Sequence, residues 1–373
     1  MAIDPDILKL AEQLTAIGNR LWHPDIHRPF TTYSEEETLH IVGVYSNPFR
    51  WRTRRELAND CIRHLRSAAN VVLHVVELAY GDRPFEVTGE HPNDVQVRTD
   101  TEAWHKENLL NVGMAHCPPG WKYGGYCDLD FHMTRHDWAL EAIHLLQHHE
   151  FVQLFSSYAD LSPETPHSTT GHRPYRMNST FAWNYLHQAE FKARKLQPCK
   201  TDPYYGLPIP KAVGVFPFGF APGAPGGAWA WRRSAFDTVG GMLDTCILGS
   251  GDWHMAFGLI EGISSRLETE FTGRAYNASI QAWQQRAALL TRNIGCVDNF
   301  AVHHFHGSHR QRGYGDRWQI LVKHEFDPVR DLARDWQGVW RWAGNKPRLR
   351  DDVRSYFIGR AEDSTELPHD PLV

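Results

Sequence analysis

No run of about 18 apolar residues occurs in this chain, so nothing in it reads as a membrane-spanning helix. A charged segment leading into an apolar run is also missing at the start, so no signal peptide is read and a cytoplasmic protein is expected. The six cysteines, Cys61, Cys117, Cys127, Cys199, Cys246 and Cys296, include no C-x-x-C pair. A chain of 373 residues needs no disulfide staples, so reduced, buried thiols are expected. A strong excess of positive charge is absent too: the net charge is -5, which argues against wholesale binding to a polyanion. Internal repeats and low-complexity tracts are not found.

What is present is an ordinary globular composition, 42% hydrophobic and 22% charged, with length for one or two domains at about 150 residues each. Histidine (23) and tryptophan (14) are the enriched types, the histidines clustering at 303–309. Aromatic walls suit sugar faces and nucleobases, although many tryptophans simply fill cores.

Residues 4–21 read as an amphipathic helix, with Asp4 as cap and Ile7, Leu10, Leu14, Ile17 and Leu21 on one face. It is taken as part of an N-terminal helical extension over 1–30. A strand–helix rhythm starts at His40. Strands are expected at 40–45, 70–77, 94–98, 123–128 and 151–155, and helices at 50–66, 104–115 and 136–148. That alternation predicts an α/β fold with a mostly parallel sheet, binding its ligand beyond the carboxyl ends of the strands. Residues 156–210, rich in Ser, Thr, Pro, His and Tyr, read as an inserted loop-rich lid with a helix at 180–195. Helices at 253–262 and 277–291 follow, and 315–373 reads as a helical C-terminal extension, frayed from Asp363.

Five constellations carry chemistry. The first is Tyr126-Cys-Asp128-Leu129-Asp130-Phe131, where an apolar strand runs into two carboxylates one residue apart. Such a pair resists desolvation, and a divalent cation such as Mn2+ or Mg2+, shared with substrate phosphates, relieves the cost. Read blandly, it is a surface turn that happens to hold D-x-D. The second is His303-His304-Phe305-His306-Gly307-Ser308-His309-Arg310-Gln311-Arg312. Its histidines can complete a metal site, among them His303, His304 or His306, and Arg310 or Arg312 can grip a diphosphate. A solvated polar loop or a DNA-contacting loop are the other readings. The third, Gly251-Asp252-Trp253-His254, places one acid beside an aromatic. Asp252 is either a base toward an acceptor hydroxyl or the cap of the helix that follows. The fourth, Gly226-Gly227-Ala228-Trp229, allows close backbone approach with an aromatic wall, or is a turn into a core strand. The fifth joins Tyr45 and Asn47 after the first strand with Glu77 after the second, and Trp104, Lys106, Glu107 and Asn108 fit the same nucleotide pocket. The arginines at 50, 52, 54, 55, 63 and 66 read as a solvated helix face.

On these residues the chain resembles the GT-A glycosyltransferases, from about His40 to Tyr314. The resemblance rests on Asp128 and Asp130 after a strand, and on His304-Phe-His-Gly307-Ser-His-Arg310, which has the spacing of the family's H-x-x-G-x-x-K with arginine for lysine. The order Gly226-Gly227 before Gly251-Asp252 resembles the acceptor region. It also resembles a phage and bacterial group sharing Asn47-Pro48-Phe49, Lys106-Glu107, an H-x-x-H-G loop and a Tyr356-Phe357…Arg360-Ala-Glu-Asp363 tail.

The resemblance implies a GT-A, Rossmann-like catalytic domain over 31–314, with a nucleotide-binding half (40–155), the lid (156–210) and an acceptor half (211–314). It implies sugar transfer from a nucleotide diphosphate-sugar, foremost a UDP-sugar, to an acceptor hydroxyl. Asp128, Asp130 and a histidine of His303, His304 and His306 would hold the metal. Tyr45, Asn47, Glu77, Lys106, Arg310 and Arg312 would bind the donor, with Arg310 also catalytic. Gly227, Trp229, Asp252, Trp253 and His254 would face sugar or acceptor. The phage likeness adds hydroxymethylated pyrimidine in DNA as an acceptor, in a host cytoplasm, beside a saccharide or small molecule. A nucleotidyltransferase would want a G-x-G-T-R-like loop after the first strand, which the sequence lacks. From another class, a non-catalytic sugar- or nucleic-acid-binding protein remains the alternative.

Overall fold

β1 (Leu39–Ser46) and β2 (Val71–Tyr80) are almost continuously apolar, the pattern of parallel strands covered on both faces. They pair in parallel, Leu39 opposite Val71 and Ser46 opposite Leu78. The crossover is α1 (Arg52–Arg66), which turns Leu57, Ala58, Cys61, Ile62 and Leu65 inward at helical spacing. The computed structural model describes residues 37–163, 174–188, 223–263, 272–308, 310–313 and 316–365, with only the backbone described at 174–176 and 310. The helix expected at 4–21 and much of the lid lie outside these residues.

The rhythm continues through β3 (Val95–Thr99), α2 (Lys106–His116), β4 (Tyr123–Cys127), α3 (Trp138–Leu145) and β6 (Phe151–Gln153), each inside or beside its expected range. With β9 (Ala228–Arg232) and β10 (Ile294–Cys296) these strands form a seven-stranded sheet in the order β10-β6-β9-β4-β1-β2-β3. The mixed α/β architecture with a mainly parallel sheet is therefore as expected. The exception is β9, antiparallel to both β4 and β6. Helix α2 packs closely on β1 and β2 because residue 113 is glycine: a Cβ there would lie 2.5 Å from Val42 and 2.8 Å from Val76.

A second sheet, β5-β11-β7-β8, is built from β5 (Phe131–Met133), β7 (Ser157–Leu161), β8 (Pro174–Ser179) and β11 (Phe300–His303). The start of the expected lid is thus strand, not loop. Buried Asp160 interrupts the apolar alternation that would have marked it. Helix α4 (Phe181–Leu186) falls within the helix expected at 180–195. Helices α5 (Arg233–Val239), α6 (Gly251–Leu259) and α7 (Arg274–Ala287) complete the central part.

The C-terminal region holds helices, as expected, but also strand. Between α8 (Trp318–Lys323), α9 (Pro328–Asp331) and α10 (Pro347–Gly359) lies an antiparallel hairpin, β12 (Leu332–Arg334) with β13 (Trp340–Trp342). Its turn is held by Asp335, whose carboxylate accepts the N–H groups of Gln337 and Val339, both at 2.9 Å. Leu332, Val339, Leu349, Val353 and Phe357 join the larger core cluster. Asp363, read as frayed, accepts the N–H groups of Arg52 (3.0 Å) and Thr53 (2.8 Å) and so caps α1 from a distant part of the chain. The five described cysteines are free thiols, and no described helix is long and apolar enough to cross a membrane.

Candidate active site

The strand order reverses at β1, and a cleft opens beyond the carboxyl ends of β1 and β4, where open α/β sheets gather ligands. Two polypeptide segments bring a carboxylate and two imidazoles together in it. Asp130 leads into β5. His303 ends β11, opposite Phe131 of β5 on one side and Asp160 of β7 on the other. The chain then curls through 304–306, Gly307 taking a φ of +86°, and returns His306 to the same place. The Nε2 atom of His306 lies 2.9 Å from Asp130 Oδ2, that of His303 lies 3.9 Å from it, and the two nitrogens are 3.3 Å apart.

These separations suit one metal ion. Ligands bonded at about 2.1 Å in an octahedron stand about 3 Å apart when adjacent. The second oxygen of Asp130 is buried without a hydrogen-bond partner, as a group that wants a further ligand would be. Each imidazole is backed by a carboxylate. His303 Nδ1 meets Asp160 Oδ1 at 2.6 Å, and His306 Nδ1 faces Glu362 at 3.7 Å. Such outer carboxylates orient a ring and keep its far nitrogen available to a metal. Burial pushes the Asp130 carboxyl up, but His306, His303 and Arg312 outweigh it and hold the group well below the carboxylate range.

Asp128 does not join this trio. Lys106, from the start of α2, contacts both its oxygens, at 2.6 and 2.7 Å. Burial lifts the Asp128 carboxyl to about 6, with Lys106 opposing and Asp130 adding to the rise. Beside it, burial raises Glu107 to about 8, against the pull of Lys106.

The cations come from the periphery. Arg54 was read as part of a solvated face, yet it turns inward and makes a two-pronged pair with buried Glu362, at 2.6 and 2.7 Å. Arg360 holds the same carboxylate at 2.8 Å and lies over the ring of Trp104. Arg312 reaches His306 at 3.0 Å, and Arg317 bonds Ser250 and Tyr356. Arg54, Arg312, Arg317 and Arg360 all line the cleft.

Asp252 also lines it. It is not a cap: Ser250 holds that position with a φ of +76°, and Asp252 sits in the first turn of α6, accepting the Trp253 N–H at 2.8 Å. Gly226 passes directly against the Asp252 carboxylate, where a Cβ would collide with it. The carbonyl of Gly227, at a φ of +91°, accepts the N–H of Asp128 at 2.8 Å, tying the glycine turn to the acidic strand end.

Several residues singled out in the sequence lie elsewhere. His304 points away from the trio, as the residue after a facing strand position does, and contacts His132 Nδ1 at 2.9 Å. Trp229 is buried in β9, its indole N–H donating to Pro225 O at 2.8 Å. His254 is sealed between Trp318 and Tyr276, where burial lowers it to about 3, and Trp253 packs on Phe257. None of the four lines the cleft. Asn47 and Glu77 are also internal: Asn47 bonds the backbone of Trp51, and Glu77 accepts the N–H groups of Val87 and Thr88. Tyr45 does line the cleft and bonds Glu86. The side chain of Arg310 lies outside the described residues. Sequence reasoning missed Asp160, Arg54, Arg317 and the role of Glu362; only the Arg360…Asp363 tail had been singled out.

No family model matches the chain, and no curated protein matches it. Among solved structures, the catalytic domain of Drosophila β1,4-galactosyltransferase 7 with xylobiose aligns over 84% of this chain and 97% of its own, at 9% identity and a TM-score of 0.34. A mutant of that enzyme with manganese, UDP-Gal and xylobiose aligns over the same shares at 10% identity and a TM-score of 0.35. Mouse xyloside xylosyltransferase 1, apo form, aligns over 78% of this chain and 95% of its own, at 12% identity and a TM-score of 0.25. At such scores the likeness carries no argument about function.

Proposed function

We propose that this chain is a metal-dependent glycosyltransferase of the GT-A type, moving a sugar from a nucleotide diphosphate-sugar, foremost a UDP-sugar, to an acceptor hydroxyl. The observation that carries the reading is the group Asp130, His303 and His306, each histidine backed by a carboxylate, in a cleft also lined by four arginines and Lys106. A manganese or magnesium ion held there would offset the charge of a diphosphate leaving group. Asp128 can enter that group only by exchanging Lys106. The guanidinium group of Arg312, which reaches His306, is the phosphate contact beside the trio, with Arg317 another in the same cleft; Arg310 is retained as a further candidate. Asp252 accepts the proton of the attacking hydroxyl, and the Gly226-Gly227 turn leaves room for it.

The test measures free nucleoside diphosphate released from UDP-sugars with manganese. Release that requires the metal and disappears in Asp130→Asn supports the reading. A folded protein with neither turnover nor metal-dependent nucleotide binding ends it, leaving the non-catalytic alternative. The acceptor is resolved in the same assay by comparing saccharides with DNA carrying hydroxymethylated pyrimidines. Arg52, Arg63 and Arg66 on the outer face of α1 pair with Glu56, Asp60 and Asp94, which weakens that helix as a DNA surface and favours the saccharide.

A further inference from the structure

At the opposite end of the same sheet, away from the cleft, lies a second cluster of metal-ligating side chains. His40 stands near the start of β1 and His74 near the start of β2, both on the face covered by α2. Their rings meet Nδ1 to Nε2 at 3.0 Å. The close approach that Gly113 allows brings α2 down onto these strands. Cys117, one turn beyond Gly113 and just past the helix end, then meets the two histidines. One ligand atom from each of His40, His74 and Cys117 lies within 4.8 Å of the others. All three residues are buried.

We propose that His40, His74 and Cys117 form a binding site for a zinc-like, thiophilic metal ion. Two imidazoles and a thiol are the donor set for zinc or copper(I); the thiol is what sets this cluster apart from the cleft trio, where a carboxylate takes its place. Binding exchanges the thiol proton of Cys117 for the metal: the S–H bond breaks, the sulfur–metal bond forms, and the proton leaves to solvent. Burial pushes that thiol up to about 12, and the charge of the ion reverses this preference. Burial first, then His40, His91 and His116, lower His74 to about 4, so its ring is available as an uncharged ligand.

The experiment uses the full chain, stripped with a chelator and titrated with Co2+ as a spectroscopic stand-in for zinc. A thiolate-to-cobalt charge-transfer band saturating at one equivalent and displaced by zinc is expected. Cys117→Ser should abolish the band, and His74→Gln should weaken cobalt affinity about tenfold or more. Asp130→Asn should leave the band intact, because the cleft trio contains no sulfur. If Cys117→Ser does not fold, His40→Gln takes its place, with loss of affinity expected. A wild-type chain without the band, or a band that survives in Cys117→Ser, overturns the proposal. Neither result touches the manganese-dependent assay of the cleft.

Discussion

Replacing Asp160 by asparagine tests the trio without touching any of its members. Asp160 is 2% exposed, and its Oδ1 lies 2.6 Å from His303 Nδ1. As a carboxylate it can only accept, so it fixes the proton of His303 on Nδ1 and the lone pair on Nε2, the atom that faces His306 and Asp130. Asparagine keeps the shape but loses the charge. It also receives an N–H donor toward Asn178, which already donates to Asp160 Oδ2 at 3.3 Å. Turning the amide over to relieve that conflict aims the donor at His303, which moves the ring proton to Nε2 and blocks the metal-facing lone pair. Loss of an outer carboxylate of this kind weakens metal binding by about tenfold to a hundredfold. That corresponds to about 1.4 to 2.7 kcal/mol. The stability cost should be smaller, about 1 kcal/mol for one compromised buried hydrogen bond. Calorimetric titration with Mn2+ reads the first quantity and thermal unfolding the second. A folded Asp160→Asn protein that binds Mn2+ as tightly as the parent would refute both the tautomer argument and the placement of the metal.

Three further substitutions probe separate parts of the cleft. In Gly226→Ala the new Cβ displaces the Asp252 carboxylate, the far end of a movable side chain. Acceptor transfer should therefore fall while stability changes by less than about 1 kcal/mol; unimpaired transfer would remove Asp252 from the acceptor side. Glu107, held protonated to about 8, binds its proton more tightly in the folded chain than in the unfolded one. Its contribution is complete below the ordinary glutamate range and is lost as pH rises through about 8, by no more than about 5 kcal/mol. Melting curves of wild type and Glu107→Gln from pH 4.5 to 8 should diverge, the wild type losing more; parallel curves would count against the buried acid. In Glu362→Ala, Arg360 and Arg54 lose their shared partner and His306 loses its support. A cost of about 3 kcal/mol, with weaker Mn2+ binding, is expected in denaturant titration and calorimetry; a variant as stable as the parent would show the cluster contributes nothing net.

The parallel half of the fold was legible because its strands are buried on both faces and written in β-branched residues, as in Val71 to Val76. The D-x-D position was legible for the same reason: an apolar run that ends in carboxylates is hard to mistake. The second sheet was not, since its strands are three to six residues long and carry buried polar groups such as Asp160 and His303. They meet each other across 143 residues of sequence, which no local pattern announces. The choice among His303, His304 and His306 depended on knowing that 303 is a strand residue, because strand alternation sends His304 to the far face. Trp229 and His254 show the converse error: their types suggested ligand contact, while their neighbours make them core.

The charge arrangement of the cleft leads to a statement about binding order. The strands and their ends supply Asp128, Asp130 and Asp160, and the first turns of α6 and α2 supply Asp252 and Glu107; apart from Lys106, the cations come from α1 and from the chain after residue 310. Setting the histidines aside, five cationic side chains face six carboxyl groups, of which Glu107 is protonated near neutral pH. Arg54 and Arg360 are already spent on Glu362, and Lys106 on Asp128. The cleft's own side chains are therefore close to electrically balanced, with little surplus to attract the paired phosphates of a nucleotide diphosphate. A divalent cation held by Asp130, His303 and His306 would supply the missing positive charge. Metal should accordingly bind first, with nucleotide affinity rising steeply once it has. Nucleoside diphosphate titrated with and without Mn2+, at two salt concentrations, measures this directly. Equal affinity in both conditions would mean that the arginines alone hold the phosphates, and that the balance drawn from these pairings is wrong.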